Sequence, residues 1–152
     1  MNKYEQRAHD LFNGGYNCAQ AVFAAFADEM NLSEKEALRI ASPFGGGMGR
    51  LREVCGAVSG MFMVLGYLYG YDDAKDDAVK KELYSYVQSL ADKFKDEYKT
   101  IICRELLGVD GAAKPNPEPT PRSETFYKER PCLGFVVSAA GILADFIGNK
   151  EI

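Results

Sequence analysis

The sequence predicts an all-α protein, a single-domain helical bundle of about six to seven helices. Apolar residues recur at spacings of three and four along most of the chain, and the alternation typical of strands is lacking. The length of 152 residues suits one domain, 1–152, with one hydrophobic core. A glycine-rich loop and a long Pro-rich connection interrupt the predicted helices.

The first part of the chain is predicted to form three helices, of which the first ends at glycine and the third at proline. Residues 3–13 place their apolar side chains on one face. An alanine-rich helix follows at about 18–31, with Asn17 as its N-cap. Ser33 opens a capping box for a third helix at about 33–41.

The second part of the chain is predicted to form longer helices around an irregular connection. An uncharged central helix is expected at about 53–70, and an amphipathic covering helix at 72–99. A short helix at 100–107 precedes residues 109–130, where alternating prolines disfavour helix and favour an extended chain. We expect this irregular connection to be a strap across the surface, with a lid over a site as the alternative. A last apolar helix should begin at Pro131.

Composition excludes some partners and predicts a compartment. The net charge is −4 and no basic stripe is present, so nucleic acid is not expected as a partner. The charged residues 1–7 do not form a secretory signal, which predicts a cytoplasmic location. The uncharged segment 54–71 is at the lower length limit for a membrane span and contains four glycines. We therefore expect a buried helix there and no membrane span.

The glycine run from Phe44 to Arg50 does not match a nucleotide-binding motif. A P-loop would require a Lys-Ser/Thr pair after the glycines, and none follows. A dinucleotide fingerprint would require glycine where Arg50 stands, and a strand before the run. The glycines instead allow the backbone to approach another group closely.

The four cysteines are the candidate site residues, both as redox thiols and as metal ligands: Cys18, Cys55, Cys103 and Cys132. Each lies in or at the beginning of a predicted helix, where the free N–H groups favour a thiolate. Basic residues adjoin three of them in sequence, and these are Arg50, Arg52, Arg104, Lys128 and Arg130. We therefore expect the pKa of each thiol to be lowered.

Spacing alone leaves the chemistry of the cysteines open. No Cys-x-x-Cys motif is present, so zinc-finger and thioredoxin signatures are absent. In a reducing compartment the cysteines suit metal or redox chemistry better than structural disulfides. An even count is compatible with two disulfides or with one four-ligand site, and buried structural thiols are the third interpretation. Groups expected to surround the sulfurs or a cofactor are Gly45, Gly46, Gly47, Arg50, Gly56 and Arg104.

Five segments resemble the C_GCAxxG_C_C family of redox-active proteins over nearly the whole chain. They are Asn17–Val22, Phe44–Arg50, Cys55–Gly60, Cys103–Gly108 and Cys132. The resemblance implies four characteristic cysteines that are redox-active or bind a cluster. By position these are Cys18, Cys55, Cys103 and Cys132. The family implies no established substrate.

Three functions follow as hypotheses. In the first, four converging thiolates bind an iron–sulfur cluster, zinc or another thiophilic metal for electron transfer or sensing, with an unknown redox partner. Such a cluster would be lost from protein isolated in air. In the second, a metal-free protein performs thiol–disulfide exchange, either as an oxidoreductase or as an electron carrier. In the third, a helical binding module uses its cysteines only for packing. The arrangement of the sulfurs distinguishes these hypotheses.

Overall fold

The computed structural model describes residues 1–108 and 116–150, and these residues form an all-α fold. Within them the β structure is limited to one isolated antiparallel bridge, between Val54 and Ile102. Two 3₁₀ helices lie at Ala27–Met30 and Ser42–Phe44. The α-helices are α1 (Lys3–Asn13), α2 (Cys18–Ala25), α3 (Glu34–Ala41), α4 (Gly45–Met48), α5 (Gly56–Tyr69), α6 (Asp77–Tyr98), α7 (Cys103–Leu107), α8 (Glu124–Glu129) and α9 (Cys132–Lys150).

The predicted all-α class is confirmed, and the longer helices lie where the apolar periodicity placed them. The helices α4, α7 and α8 have six residues or fewer. Local caps set several of the predicted starts. The Asn17 side chain accepts a hydrogen bond from the Gln20 N–H at the start of α2, and Ser33 accepts one from the Glu36 N–H at the start of α3. These caps satisfy N–H groups that the first helical turn leaves without partners.

Several predicted boundaries are wrong: α2 ends at Ala25 and not near residue 31, and α7 begins at Cys103 and not at 100. Three others are wrong for identifiable reasons. The helix α5 begins at Gly56 and not near residue 53, because the residues before it pair with residues 101–104. The helix α6 begins at Asp77 and not at 72, since the Asp76 side chain caps it. The connection 109–130 is not irregular throughout, because Ser123 caps the short helix α8. Residues 109–115 of that connection lie outside the described residues.

The helix α2 lies at the centre of the core and contacts α1, α3, α5 and α9. Five of its eight residues are alanine or valine, and all five are buried. Its contact with α5 depends on two glycines. A Cβ atom on Gly60 would lie 3.0 Å from the Ala19 carbonyl oxygen, and one on Gly56 would lie 3.1 Å from the Ala19 nitrogen. The two backbones therefore approach closely.

The apolar helices α5 and α9 both contribute to the core. The helix α5 is buried along most of its length, as expected for the central helix. By length and composition alone α9 could cross a membrane, with a mean hydropathy of 1.6. However, Phe135, Val136, Ala139 and Leu143 of α9 are buried within the core. A membrane span is therefore not indicated, as predicted.

We predict that Gly60→Ala destabilises the protein by about 1–3 kcal/mol, because the added methyl group would force α2 and α5 apart. The free energy of unfolding is measured by urea titration with far-UV circular dichroism. Gly66→Ala is the matched control, since nothing lies within 4 Å of a Cβ at that exposed position of α5. The control is expected to be neutral or slightly stabilising. Equal stability of the two variants would show that the close approach is not required.

Candidate functional site

The four cysteines line a single cavity with a volume of about 440 Å³. All four are free thiols. Cys55, Cys103 and Cys132 are buried, and Cys18 is half-buried. The structure therefore brings together residues that are widely separated in the chain, as the sequence predicts.

Each cysteine stands at the start of a helix. Cys18, Cys103 and Cys132 are the first residues of α2, α7 and α9, and Cys55 is the N-cap of α5. The N-terminal end of a helix carries free N–H groups and a partial positive charge. Several such ends meet at the cavity, and this environment favours negative charge on sulfur.

Cys18 and Cys132 form a hydrogen-bonded pair. The Cys18 thiol donates to the Cys132 sulfur, and this bond is the main reason that the pKa of Cys132 falls from 9.0 to about 7. The positive charges of Arg130, Arg122 and Arg52 lower the pKa of Cys132 further. The same bond, together with burial, raises the pKa of Cys18 well above its ordinary value. One thiolate therefore forms readily in this pair, and it is on Cys132.

The expectation of a lowered pKa is wrong for the other cysteines. Burial raises the pKa of Cys55 to about 12, and the opposing effect of the backbone N–H groups of Val58 and Ala57 is smaller. Burial also raises the pKa of Cys103, against the opposing effect of Arg52, whose Nη1 lies 3.9 Å from the Cys103 sulfur. At these two sites the loss of solvation outweighs the helix start and the nearby cation.

A short antiparallel pairing fixes Cys55 relative to Cys103. The Cys55 N–H donates to the Ile101 carbonyl at 2.8 Å, and the Cys103 N–H donates to the Glu53 carbonyl at 2.6 Å. The isolated bridge lies between these two bonds. This pairing holds the starts of α5 and α7 side by side at the cavity.

The glycine turn forms another part of the cavity wall. Gly45, Gly46 and Gly47 all line the cavity, as predicted for residues around the sulfurs. Gly47 has a φ of +70°, and a Cβ atom there would lie 2.6 Å from the Cys103 Cβ. The turn therefore requires glycine both for its left-handed backbone and for its approach to Cys103.

Two arginines after the glycine turn adopt an unusual backbone conformation. Arg50 has a φ of +68° and Arg52 a φ of +61°, in the left-handed region that non-glycine residues rarely occupy. Such positions cost on the order of 1–3 kcal/mol each and are often found at functional sites. Both arginines line the cavity.

The segment 116–123, called the strap below, forms one wall of the cavity. Arg50 donates to the Asn116 carbonyl at 3.2 Å and to the Thr120 hydroxyl at 2.7 Å. Arg122 of the strap donates to the backbone carbonyls of residues 12 and 16 at 3.3 and 2.9 Å. Its guanidinium also lies 4.7 Å from the centre of the Phe12 ring. These contacts tie the strap to the glycine turn and to α1.

The predicted surroundings of the thiols are largely in place, with one exception. Gly45, Gly46, Gly47, Gly56 and Arg50 line the cavity. Arg104 was also expected there, but it is not among the described lining residues. Its guanidinium instead lies 2.6 Å from the Glu53 carboxylate in an ion pair.

Sequence reasoning missed some cavity residues. Thr120 and Arg122 were not singled out, because they belong to a Pro-rich segment that was interpreted as a solvated strap. Arg52 and Arg130 were noted only as sequence neighbours of cysteines. The recurrence of arginines next to the cysteines in the sequence is the signal that indicates an arginine-lined site.

The sulfurs do not form a ready-made metal site. In the part of the chain that the structure describes, no three Cys, His, Asp or Glu side chains are placed to hold one metal ion together. A tetrahedral thiolate site would require four sulfurs at about 2.3 Å from one point. The thiols interact instead as a pair, through the hydrogen bond of Cys18 with Cys132 that lowers the pKa of Cys132.

Together these features define a class: an all-α protein in which helix N-termini gather four free thiols around one arginine-lined cavity. The chain belongs to the family described as "Putative redox-active protein (C_GCAxxG_C_C)", whose model matches residues 16–146. This match confirms the resemblance noted from the cysteine-containing segments. No curated protein and no solved structure matched the chain.

We predict that Cys132 reacts first with iodoacetamide, at a rate that is half-maximal near pH 7. The thiolate is the reactive species, so the rate rises with pH through the pKa of Cys132. The rate at each thiol is measured by peptide mass mapping after short exposures across a pH series.

Two variants test the cause of this pH dependence. Cys18→Ala removes the hydrogen-bond donor and should move the half-maximal rate of Cys132 to higher pH, whereas Cys18→Ser keeps a hydroxyl donor and should move it less. A wild-type half-maximum close to the ordinary value of 9.0 would contradict the assignment of the low pKa to Cys132.

Proposed function

We propose that the protein is a thiol–disulfide redox protein in which Cys132 is the attacking thiol and Cys18 the resolving thiol. The position of both cysteines on the wall of one cavity, where the interaction between the two thiols shifts the pKa of each, supports this proposal. This interaction implies that the two sulfurs are neighbours, as direct formation of a disulfide requires. Membership of a family described as redox-active supports the same chemistry.

The acidity of Cys132 suits an attacking thiol. Disulfide exchange is fastest when the pKa of the attacking thiol lies near the ambient pH, because a more acidic thiolate is a weaker nucleophile. A pKa of about 7 places Cys132 in this range at neutral pH. Cys18 retains its proton in the resting pair, so it enters the reaction second.

The other two cysteines have supporting roles in this proposal. With a pKa of about 12, Cys55 remains a thiol at neutral pH, and it stands at the N-cap position of α5. Cys103 packs against Gly47 and contacts the Arg52 guanidinium. Of the four thiols expected to be redox-active, we therefore assign the reaction to Cys18 and Cys132.

The proposal predicts one reversible disulfide, between Cys18 and Cys132. Oxidation of the reduced protein with a small disulfide should lower its mass by two hydrogens, and peptide mapping without reductant should identify the linked pair. Cys132→Ser should abolish this product, whereas Cys55→Ser and Cys103→Ser should retain it. The proposal is wrong if the wild-type protein forms no Cys18–Cys132 disulfide, or if Cys132→Ser forms an equivalent one as fast.

A metal-bound form is the second candidate, and it is favoured by the position of all four sulfurs around one cavity. Cys18, Cys55, Cys103 and Cys132 would hold an iron–sulfur cluster, zinc or another thiophilic metal. The group would supply electron transfer or a sensing response. This form would require the sulfurs to move closer together than they are in the structure.

Anaerobic purification followed by iron, zinc and sulfide analysis tests the second candidate. A stoichiometric metal that is lost in Cys55→Ser would support it. Metal-free protein after anaerobic purification would remove it. Cys55 distinguishes the two candidates, because thiol–disulfide exchange by Cys18 and Cys132 does not require its sulfur as a ligand. If both tests failed, a helical binding module with structural cysteines would be left.

We also propose that the protein acts in the cytoplasm with a separate redox partner. Four free thiols are best preserved in a reducing compartment. Both an oxidoreductase and an electron carrier need a second molecule to restore the starting redox state.

A further inference from the structure

The cavity that contains the thiols carries concentrated positive charge. Four arginines line it, and within the ranges 1–108 and 116–150 no aspartate or glutamate does. The whole chain has a net charge of −4, so the cavity is opposite in sign to the protein as a whole. These side chains are called the arginine cluster below, and they are Arg50, Arg52, Arg122 and Arg130.

Neutral groups contact the arginine cluster, but no described carboxylate forms an ion pair with it. Arg50 and Arg122 donate to carbonyl and hydroxyl oxygens, and Arg52 donates to a sulfur. Glu118 acts on Arg50 electrostatically, without reaching ion-pair distance. The positive charge of the cluster is therefore not cancelled by the described side chains around it.

Arg130 is the member of the cluster with the most free donors. Its guanidinium lies 5.4 Å from the centre of the Phe126 ring. Among the residues that the structure describes, this guanidinium has neither a hydrogen-bond acceptor nor an ion-pair partner. Arg130 also directly precedes Pro131 and Cys132 in the chain, and its charge lowers the pKa of the Cys132 thiol.

The size and walls of the cavity suit a small molecule. Its volume of about 440 Å³ falls within the roughly 300–1,000 Å³ typical of ligand pockets. Apolar side chains contribute to the wall beside the thiols, among them Phe12, Phe135 and Leu106. A ligand with an apolar middle and anionic ends would match both kinds of surface.

We propose that the cavity selects a low-molecular-mass disulfide that carries carboxylates, an inference that rests on the proposed thiol–disulfide function. The arginine cluster binds the carboxylates, because guanidinium groups pair with them through parallel hydrogen bonds. The apolar wall accommodates the carbon chains on either side of the S–S bond. This arrangement presents the S–S bond to the Cys132 sulfur.

The exchange balances without a further reactant. The Cys132 thiolate forms a bond to one substrate sulfur, the substrate S–S bond breaks, and the first thiolate leaves. The Cys18 sulfur then attacks the Cys132 sulfur, and the second substrate thiol leaves with the proton of Cys18. One substrate disulfide is reduced to one thiolate and one thiol, and the two electrons come from Cys18 and Cys132, which are oxidised to a disulfide.

Three aliphatic disulfides of different charge test the selection. The reduced protein is mixed with dithiodipropionate (a dianion), bis-hydroxyethyl disulfide (neutral) or cystamine (a dication), and Cys18–Cys132 disulfide formation is timed by acid quench and mass spectrometry. Each rate is divided by the rate of a neutral free thiol with the same compound. We expect the dianion to exceed the neutral compound by at least about tenfold, and the dication to be slowest. Equal normalised rates would overturn the inference.

A pair of charge-matched variants tests whether the arginine cluster causes the selection. Arg130→Gln should lower the ratio of dianion to neutral rates by about threefold, as expected for one charge a few ångströms away in a wet cavity. The ratio is informative because a changed pKa of Cys132 would alter both rates together. Arg39→Gln removes the same charge from the exposed face of α3 and should leave the ratio unchanged. An unchanged ratio in Arg130→Gln would overturn the role of the cluster.

Binding of unreactive analogues tests the charge selection independently of the exchange reaction. Thiodipropionate has a thioether in place of the S–S bond, and thiodiethanol is its neutral counterpart. We expect the dianion, and not the neutral compound, to protect Cys132 from iodoacetamide and to raise the melting temperature. Failure of all three disulfides to react would reject the exchange chemistry, whereas equal effects of the two thioethers would reject the charge selection.

Discussion

The close packing of α2 against α5 is the constraint on which the rest of the structure depends. Gly56 and Gly60 bring the two backbones together, and a Cβ on Gly56 would lie 3.2 Å from the Cys18 Cβ. The same contact that builds the centre of the core therefore sets Cys18 beside the start of α5, where Cys55 is the N-cap. The helix α9 packs against both α2 and α5 and adds Cys132 to this group. The contacts that form the core therefore also assemble the site.

Burial and hydrogen bonding then make the thiols chemically unequal. All four stand at helix starts, yet the pKa falls only at Cys132 among the described cysteines. At Cys55 the backbone N–H groups of α5 favour the thiolate, but the low dielectric of the surroundings outweighs their effect. Cys132 differs because a neighbouring thiol donates to it and several arginines surround it. A helix start is thus not sufficient to activate a cysteine.

The charge of the cavity depends on segments that add little to the core. Arg50 and Arg52 follow the glycine turn in left-handed conformations, and Arg122 comes from the strap. Arg50 also holds the strap through Thr120, so the cations and the cavity wall depend on the same contacts. An acidic protein can in this way maintain a local positive field that acts both on Cys132 and on an incoming anion.

The helical class, most helix positions and the candidate cysteines were predictable from the sequence, because periodicity and caps such as Asn17 and Ser33 act over a few residues. The sequence did not determine that Arg104 would pair with Glu53, or which cysteine would be acidic. Only the tertiary structure decided those points, since desolvation and hydrogen bonding at sulfur depend on groups that are distant in the chain.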